Sequence, residues 1–360
     1  MNAFNFKWHL RWLIPLLLFD ILFFTFWWIF FWRVQPREKP VVPAGCSEPV
    51  RFHFGFPTER ELDRYDLSAF QPTLSGRPES AFFGSVRLGY VGKRLMPSFH
   101  EGVDIAPVKR DRSGRPLDPV CAAADGEVVY LNRCEGNSNY GKYAVLSHGD
   151  KIYTLYAHLD KIDSRISRGV KVREGETLGR MGFTSSIRLP PSQAHLHFEV
   201  CVLLNSNFDG WMKRRRIRNE HGAFNGWNLL GIDPLSVYEK QEEDFDFYDP
   251  GSHLRGMPPA FEIILKANRQ LDFFRRYPEL WVGAPYAGGA MALSCAENGL
   301  PLRGRTAPPN EISEMGRKKY LVRKVNAAAL ERNGCRIVVN DKGKWRLGAE
   351  GTKWLDLMTY

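Results

Sequence analysis

Two histidines separated by a single residue give the clearest sign of chemistry in this sequence. They lie in the run 193–200, where apolar residues alternate with His195, His197 and Glu199. Because successive side chains of a β-strand point to opposite faces, these three polar groups share one face. The run therefore predicts a strand that presents two imidazoles side by side. Such a strand is either half of a metal site or the solvated face of a half-buried strand.

Further candidate ligands occur earlier in the chain. His100 and Asp104 are four residues apart, and His158 stands at the end of a predicted strand. A catalytic zinc site takes three nitrogen or oxygen ligands and keeps a fourth position for water, whose pKa falls to about 7. Together with His195 and His197, the set comprises four histidines and one aspartate. Three can bind a metal ion, and two remain to handle protons.

The order of these motifs, His-x-x-x-Asp, Tyr-x-His-Leu and His-Leu-His-Phe-Glu-Val, resembles the lysostaphin-like (LytM-type) zinc endopeptidases, which cut peptide cross-links in bacterial peptidoglycan. Outside the site, similar runs occur at 83–87, 122–126, 169–179, 182–184 and 233–235. The resemblance implies a duplicated hybrid motif fold, a bound Zn²⁺ and peptidoglycan peptide stems as substrate.

The same resemblance assigns roles to individual residues. The metal ligands of the family fall on His100, Asp104 and His197, and its two non-ligand histidines fall on His158 and His195. The non-ligand pair would take a proton from the attacking water or stabilise the oxyanion, and one of the two would protonate the leaving amine. Which histidine performs which step is left open.

Two polar residues beside these motifs have less certain roles. Glu199 either orients an imidazole that binds the metal or is an exposed strand carboxylate. His148 precedes the strand that leads to His158, and we expect it to serve structure rather than chemistry. The remaining histidines, to which the motifs assign no role, are His9, His53, His221 and His253.

Three segments depart from the family pattern. Residues 107–119 exceed the usual short turn after the aspartate, and 187–192 contains prolines where the family has a short glycine-rich approach. Residues 205–227 form an insertion with a basic run, 213–218, which either grips anionic groups of the wall or is a solvated loop. Because loops beside a cleft alter substrate fit more readily than chemistry, the reaction class survives these changes.

Composition is that of folded protein. The 360 residues are 44% hydrophobic and 25% charged, which excludes general disorder and favours more than one domain. Fifty Lys and Arg against forty Asp and Glu leave a formal charge of +10, which suits an anionic partner or a plain solvated surface. We expect no nucleic-acid partner, since no groove-reading motif or aromatic platform accompanies the charge.

The N-terminal residues predict a membrane anchor. The block 12–32 is dominated by Leu, Ile, Phe and Trp, and as a helix it would span a bilayer core of about 30 Å. A cleaved signal peptide is the alternative, although its apolar part is normally about 7 to 15 residues. A short tail before such a helix usually stays inside. We therefore expect a single-pass protein of the bacterial cell membrane, with its catalytic domain on the periplasmic or wall side.

Four parts of the chain follow from these patterns: a cytoplasmic tail and transmembrane anchor (1–32), a proline-rich linker and lead-in (33–80), a zinc peptidase domain (81–240) and a C-terminal region of unknown function (241–360). Short apolar runs at 126–131, 142–146 and 151–156, separated by glycine and polar residues, predict a mainly β, antiparallel catalytic domain.

The C-terminal region is expected to be small and mixed α/β. Helical spacing of apolar residues predicts a helix within 261–277, and 340–343 predicts a hairpin turn longer than minimal. The six cysteines form no Cys-x-x-Cys pair. Outside the cytoplasm, disulfides Cys121–Cys134 and Cys295–Cys335 are expected, with free buried thiols as the alternative.

The leading hypothesis is a membrane-anchored zinc endopeptidase that acts on peptidoglycan cross-links. A non-catalytic LytM-type module that binds the wall or activates another wall hydrolase is the alternative. A zinc peptidase with a protein substrate is a third possibility, and a protein regulator is compatible with each.

Overall fold

Strands form most of the regular structure, so the prediction of a mainly β, antiparallel catalytic domain is confirmed. The computed structural model describes residues 52–91, 94–149, 151–187, 189–331, 334 and 336–360, which lie in one compact unit, Val50–Tyr360. The predicted membrane anchor at 12–32 lies outside the described residues. Among those described, no helix combines the length and apolar character needed to cross a bilayer.

The strands of the catalytic part and of the C-terminal region follow in chain order. They are β1 Val86–Val91, β2 Arg94–Phe99, β3 Val103–Ile105, β4 Pro119–Cys121, β5 Gly126–Asn132, β6 Tyr143–His148, β7 Ile152–Ala157, β8 Leu159–Ile162, β9 Lys171–Val172, β10 Thr177–Met181, β11 Leu196–Leu203, β12 Leu229–Ile232, β13 Phe261–Ala267, β14 Trp281–Val282, β15 Gly289–Cys295, β16 Pro301–Thr306, β17 Tyr320–Arg323, β18 Val338–Asp341 and β19 Lys344–Leu347.

The helices are short. They are α1 Phe208–Arg214, α2 Pro234–Glu243, α3 Pro250–Gly256, α4 Asp272–Arg276, α5 Pro309–Met315, α6 Ala327–Glu331 and α7 Ala349–Met358. Brief 3₁₀ turns lie at Leu67–Ala69, Pro78–Ala81, Glu135–Asn137, Pro191–Gln193 and Pro278–Leu280.

The central sheet carries the predicted site. Its strand order is β12-β11-β7-β6-β5-β9, with β3 also paired to β11, and all of these pairings are antiparallel. A second sheet, β4-β10-β8, contributes further to the core. Every residue of β7 and β11 is buried. The apolar face of β11, with Phe198, Val200 and Val202, packs into the main core and holds the strand in place.

The C-terminal region forms its own five-stranded sheet, β14-β16-β15-β13-β17. The predicted helix over 261–277 is largely wrong, because β13 (Phe261–Ala267) is a strand between β15 and β17 and only Asp272–Arg276 is helical. The first five residues of β13 are buried. A short continuous apolar run of that kind fits a buried strand as well as a helix, so its periodicity cannot decide between them.

The predicted hairpin near the C-terminus is present, with a tighter turn than expected. Strands β18 and β19 pair Asp341 with Lys344, which leaves Lys342 and Gly343 as a two-residue turn. Both have positive φ, 52° and 83°, as a type I′ turn requires.

The predicted disulfide between Cys121 and Cys134 is wrong. Both cysteines are free. Cys121 ends β4, whereas Cys134 follows β5, which belongs to a different sheet. Cys295 is a free, buried thiol of β15, whereas its predicted partner Cys335 lies outside the described residues.

The apolar core does not stop at residue 240. Side chains of β11 and α1 belong to the same buried cluster as side chains of β13, β15 and α7. The division between 81–240 and 241–360 stays a prediction, and the two parts share one core.

Candidate metal and catalytic site

Strand β11 places the site through its two neighbours. His197 lies directly opposite Asp104 of β3 on one side and Ala157 of β7 on the other. Directly opposed residues of antiparallel strands project from the same face, so the Asp104 and His197 side chains meet. The small side chain of Ala157 leaves room beside the imidazole. His158 follows immediately and turns toward the same face.

Three predicted ligands converge on one point. His100 Nε2 lies 3.0 Å from Asp104 Oδ1 and 3.0 Å from His197 Nδ1, and His197 Nδ1 lies 2.9 Å from Asp104 Oδ1. All three side chains are buried. This is the only His, Cys, Asp and Glu cluster of metal-binding geometry among the described residues. Two nitrogens and one carboxylate oxygen in this arrangement are a donor set that suits a catalytic zinc ion.

The remaining ring nitrogens of the two histidines are also bonded, which supports the fit to a metal. His100 Nδ1 donates to the Phe82 carbonyl over 2.8 Å, and His197 Nε2 donates to Glu199 Oε1 over 2.9 Å. The Tyr140 hydroxyl donates to the same Glu199 oxygen over 2.6 Å. Such contacts fix the tautomer and orientation of metal-binding imidazoles. Glu199 is fully buried, so the alternative of an exposed carboxylate is wrong.

Arg87 is a site residue that the motif assignments missed. Its Nη2 donates to Asp104 Oδ2, the carboxylate oxygen that faces away from the two histidines, and lies 3.1 Å from His100 Nε2. Arg87 thereby orients the carboxylate with Oδ1 toward the ligand cluster. The available signal was its place at the end of the run 83–87, which resembles the family.

The two predicted catalytic histidines lie beside the ligand cluster. His195 Nδ1 donates to the Gln193 carbonyl over 2.6 Å, and His158 Nδ1 donates to the Thr184 carbonyl over 2.8 Å. Their ring centroids are 4.7 Å apart, and His195 Nε2 lies 3.5 Å from Asp104 Oδ1. With both Nδ1 atoms bonded to backbone carbonyls, each Nε2 is left to exchange protons. The backbone of His158 is left-handed, with φ of 61°.

Burial sets the charge of the site. It lowers the pKa of His100 and His195 and lowers that of His158 well below its usual range, so these imidazoles are neutral near pH 7. Burial also disfavours charge on His197, but hydrogen bonds to Asp104 and Glu199 outweigh it and raise the pKa to about 9. Metal binding at its Nδ1 must therefore release a proton.

Two of the segments that depart from the family pattern meet beside His195. Arg110 Nη1, on the hairpin within 107–119, donates to the Pro191 carbonyl over 2.8 Å, and Nη2 donates to the Ala194 carbonyl over 3.4 Å. The Arg115 guanidinium lies 5.5 Å from the centroid of the Phe183 ring. The hairpin within 107–119 thus supports the proline-containing segment that leads to His195.

The insertion at 205–227 covers the sheet beyond Glu199. Phe224 packs with Tyr153, its carbonyl accepts from the Tyr143 hydroxyl over 3.2 Å, and His221 Nδ1 bonds the Tyr130 hydroxyl at 2.8 Å. Most of the basic run is paired with nearby carboxylates. The pairs are Lys213–Asp209, Arg214–Asp356, Arg215–Asp356 and Arg218–Glu220.

His148 lies apart from the ligand cluster. It is buried, with Nδ1 donating to the Asp125 carbonyl over 2.7 Å and Nε2 lying 2.8 Å from Thr154 Oγ1. Thr154 Oγ1 in turn donates a hydrogen bond to the Tyr156 hydroxyl over 3.0 Å. These contacts tie strands β6 and β7 to the loop before β5.

The family resemblance is confirmed by comparison with known proteins. Residues 98–208, which contain His100, Asp104, His158, His195 and His197, match the model of Peptidase family M23. A peptidoglycan DD-endopeptidase ShyA of Vibrio cholerae is 36% identical over 125 residues, which are 34% of this chain and 24% of that protein.

Two further proteins are similar to part of this chain. The murein hydrolase activator NlpD of Salmonella dublin is 33% identical over 179 residues, or 47% of this chain and 38% of that protein. The catalytic domain of lysostaphin from Staphylococcus simulans is 22% identical and aligns with 44% of this chain and 89% of that domain, at a TM-score of 0.28. This chain thus matches well under half the length of either curated relative.

Proposed function

We propose that this chain is a zinc-dependent endopeptidase that hydrolyses peptide cross-links of bacterial peptidoglycan. The observation that carries the proposal is the convergence of His100 Nε2, Asp104 Oδ1 and His197 Nδ1 within 3.0 Å of one another, with both non-ligand histidines beside them. A module that had lost catalysis would be expected to lack part of this set. All five residues are present and each has its orienting contact.

The chemistry follows from the two kinds of residue. His100, Asp104 and His197 would hold the zinc, which when bound would polarise the scissile carbonyl and lower the pKa of the attacking water. His195 and His158 are neutral at pH 7 with Nε2 available, so one of them would accept the proton of the water, and the Nε2–H formed there would stabilise the developing negative charge. One of them, then charged, would protonate the leaving amine.

The substrate is proposed from the relatives. ShyA is named a peptidoglycan DD-endopeptidase, which supports cross-link cleavage, whereas NlpD is named a murein hydrolase activator. The complete catalytic set favours the enzyme. The activator remains the second candidate, because this chain shares a longer aligned segment with NlpD than with ShyA.

A place at the bacterial cell membrane completes the proposal. It rests on the apolar block 12–32, which would anchor the chain with the catalytic domain on the periplasmic or wall side. Labelling of a cysteine-free variant that carries one new cysteine at exposed Ser113 with an impermeant reagent in intact spheroplasts would test this. Labelling is expected, and labelling only after lysis would contradict it.

The activity test uses purified protein and purified peptidoglycan. We expect release of glycan strands that yield un-cross-linked muropeptides, identified by mass, after muramidase digestion. This release should be lost after chelation and recovered on adding zinc. His197→Ala should abolish release, while His53→Ala, a change at an exposed histidine outside the site, should not.

The same assay separates the two candidates. Binding to peptidoglycan without products from zinc-loaded protein would contradict the endopeptidase. If that protein then accelerated a separately purified wall hydrolase, the activator would replace it.

A further inference from the structure

The C-terminal region reaches the loop that carries His100. The turn 296–300, between β15 and β16, projects from the C-terminal sheet toward the end of β12. Ala296 N donates to the Leu300 carbonyl over 2.9 Å, and the Trp354 indole donates to the Gly299 carbonyl over 3.0 Å. Gly299 has φ of 87°, and Trp354 packs against it. The turn is therefore held from both sides, and Asn298 at its centre is 2% exposed.

Asn298 makes a three-way junction with the catalytic part. Its Nδ2 donates to Glu101 Oε2 over 2.8 Å and to the Gly231 carbonyl over 3.0 Å. Gly231 N donates to the same Glu101 oxygen over 2.8 Å. The side-chain carboxyl group of Glu101, the residue next to His100, is thus held jointly by strand β12 and by the C-terminal region.

The backbone around Glu101 is packed tightly. A Cβ added at Gly102 would lie 2.3 Å from the Phe198 carbonyl oxygen of β11, and one added at Gly231 would lie 2.1 Å from the Glu101 carbonyl oxygen. The segment 100–102 therefore packs closely against both β11 and β12. A shift of Glu101 would move His100, whose Nε2 lies 3.0 Å from Asp104 Oδ1 and from His197 Nδ1.

We propose that Asn298 is a positioning residue of the metal centre, through which the C-terminal region holds the Glu101 carboxyl group and thereby the His100 ligand. The C-terminal region then helps to hold a metal ligand in position, in addition to any binding role of its own. This inference rests on the metal site of the proposed function and is independent of its substrate.

The test measures zinc affinity of the full chain by competition with a chromogenic chelator. Outer contacts of metal ligands typically contribute about 10- to 100-fold to affinity, and Asn298 lies one step further out. We therefore expect Asn298→Ala to raise the dissociation constant for zinc about tenfold, the low end of that range.

Asn205→Ala is the matched control. Asn205 is also a buried asparagine, 1% exposed, and its Nδ2 also joins the catalytic part to the C-terminal region through the Leu357 carbonyl at 2.8 Å. A purely structural role for both residues predicts equal losses of melting temperature and unchanged zinc affinity. The proposal predicts a changed affinity for Asn298→Ala alone.

Asn298→Asp serves if the alanine variant does not fold. It keeps the oxygen that accepts from Leu300 N, at 3.2 Å, and loses the donor to Glu101. Zinc affinity that is unchanged in either folded variant, or equally weakened in Asn205→Ala, overturns the proposal. If the unaltered protein binds no zinc, the proposed function fails together with it.

Discussion

His197 of β11 and His195, which directly precedes that strand, face the same side of the sheet but have different predicted roles. His197 directs Nδ1 to the ligand cluster because Glu199 holds its Nε2, whereas His195 directs Nε2 there because the Gln193 carbonyl holds its Nδ1. The two rings are thus held through opposite nitrogens, which fits His197 as a metal ligand and His195 as a proton acceptor. The orienting partner of each imidazole, more than the imidazole itself, decides its role.

Among these orienting partners, Glu199 should have the most direct effect on zinc affinity, because it contacts the ligand His197. Glu199→Gln keeps the size of the side chain and removes the charge that supports the His197 N–H, so we expect zinc affinity to fall by about 10- to 100-fold. Chelator competition measures it. Glu127→Gln, a change at an exposed glutamate of the same sheet, is the control, and equal affinities for the two variants would show that Glu199 does not tune His197.

At the scale of elements, the long hairpin within 107–119 supports the segment that ends in His195. Arg110 bonds two carbonyls of that segment, Pro191 and Ala194. These contacts link the hairpin to the predicted catalytic residue His195.

Arg110→Ala should therefore slow turnover without changing the affinity for zinc. Loss of both hydrogen bonds frees the approach to His195, and we expect kcat on a soluble cross-linked muropeptide to fall about tenfold, since small misplacements of catalytic groups cost up to about 10²-fold. Zinc affinity should stay constant. Arg112→Ala on the same hairpin is the matched control, and a fall in zinc affinity with Arg110→Ala would contradict the assignment.

Strand alternation and ligand spacing made much of the catalytic part predictable. The strands β5, β6, β7 and β11 follow from short apolar runs between glycines, and His100, Asp104 and His197 follow from motif order. Strand β13 did not follow, because burial on both faces removes the alternation that identifies a strand. Arg87 and Asn298 could not be assigned either, since their roles depend on contacts made across the fold with Asp104 and Glu101.

At the scale of the whole molecule, one buried histidine should make stability sensitive to acid. His253 of α3 packs against Tyr248, and its Nδ1 lies 3.0 Å from the Tyr248 hydroxyl. Burial, helped by Lys240, lowers its pKa to about 4 from an ordinary value of 6.5. The unfolded chain then binds more protons between these values, so stability is lost as pH falls below about 6.5.

From this shift we expect the free energy of unfolding to be about 2 kcal/mol lower at pH 5 than at pH 7.5 through His253 alone. Urea unfolding of the wild type and of His253→Gln at both pH values isolates this contribution, because other titrating groups are common to both proteins. An identical pH dependence of the two proteins would show that His253 is not responsible.

The left-handed backbone of His158 implies that the fold loses some stability at a position that the proposed activity requires. A side chain with a Cβ in this conformation costs about 1 kcal/mol, and asparagine tolerates it better than most residues. We expect His158→Asn to melt at the same or a higher temperature than the wild type and to lose peptidase turnover. A lower melting temperature would instead make His158 a structural anchor. If this result is obtained, thermal stability and turnover make opposite demands on this single position. Selection for stability alone would then favour variants that are more stable and have no peptidase activity.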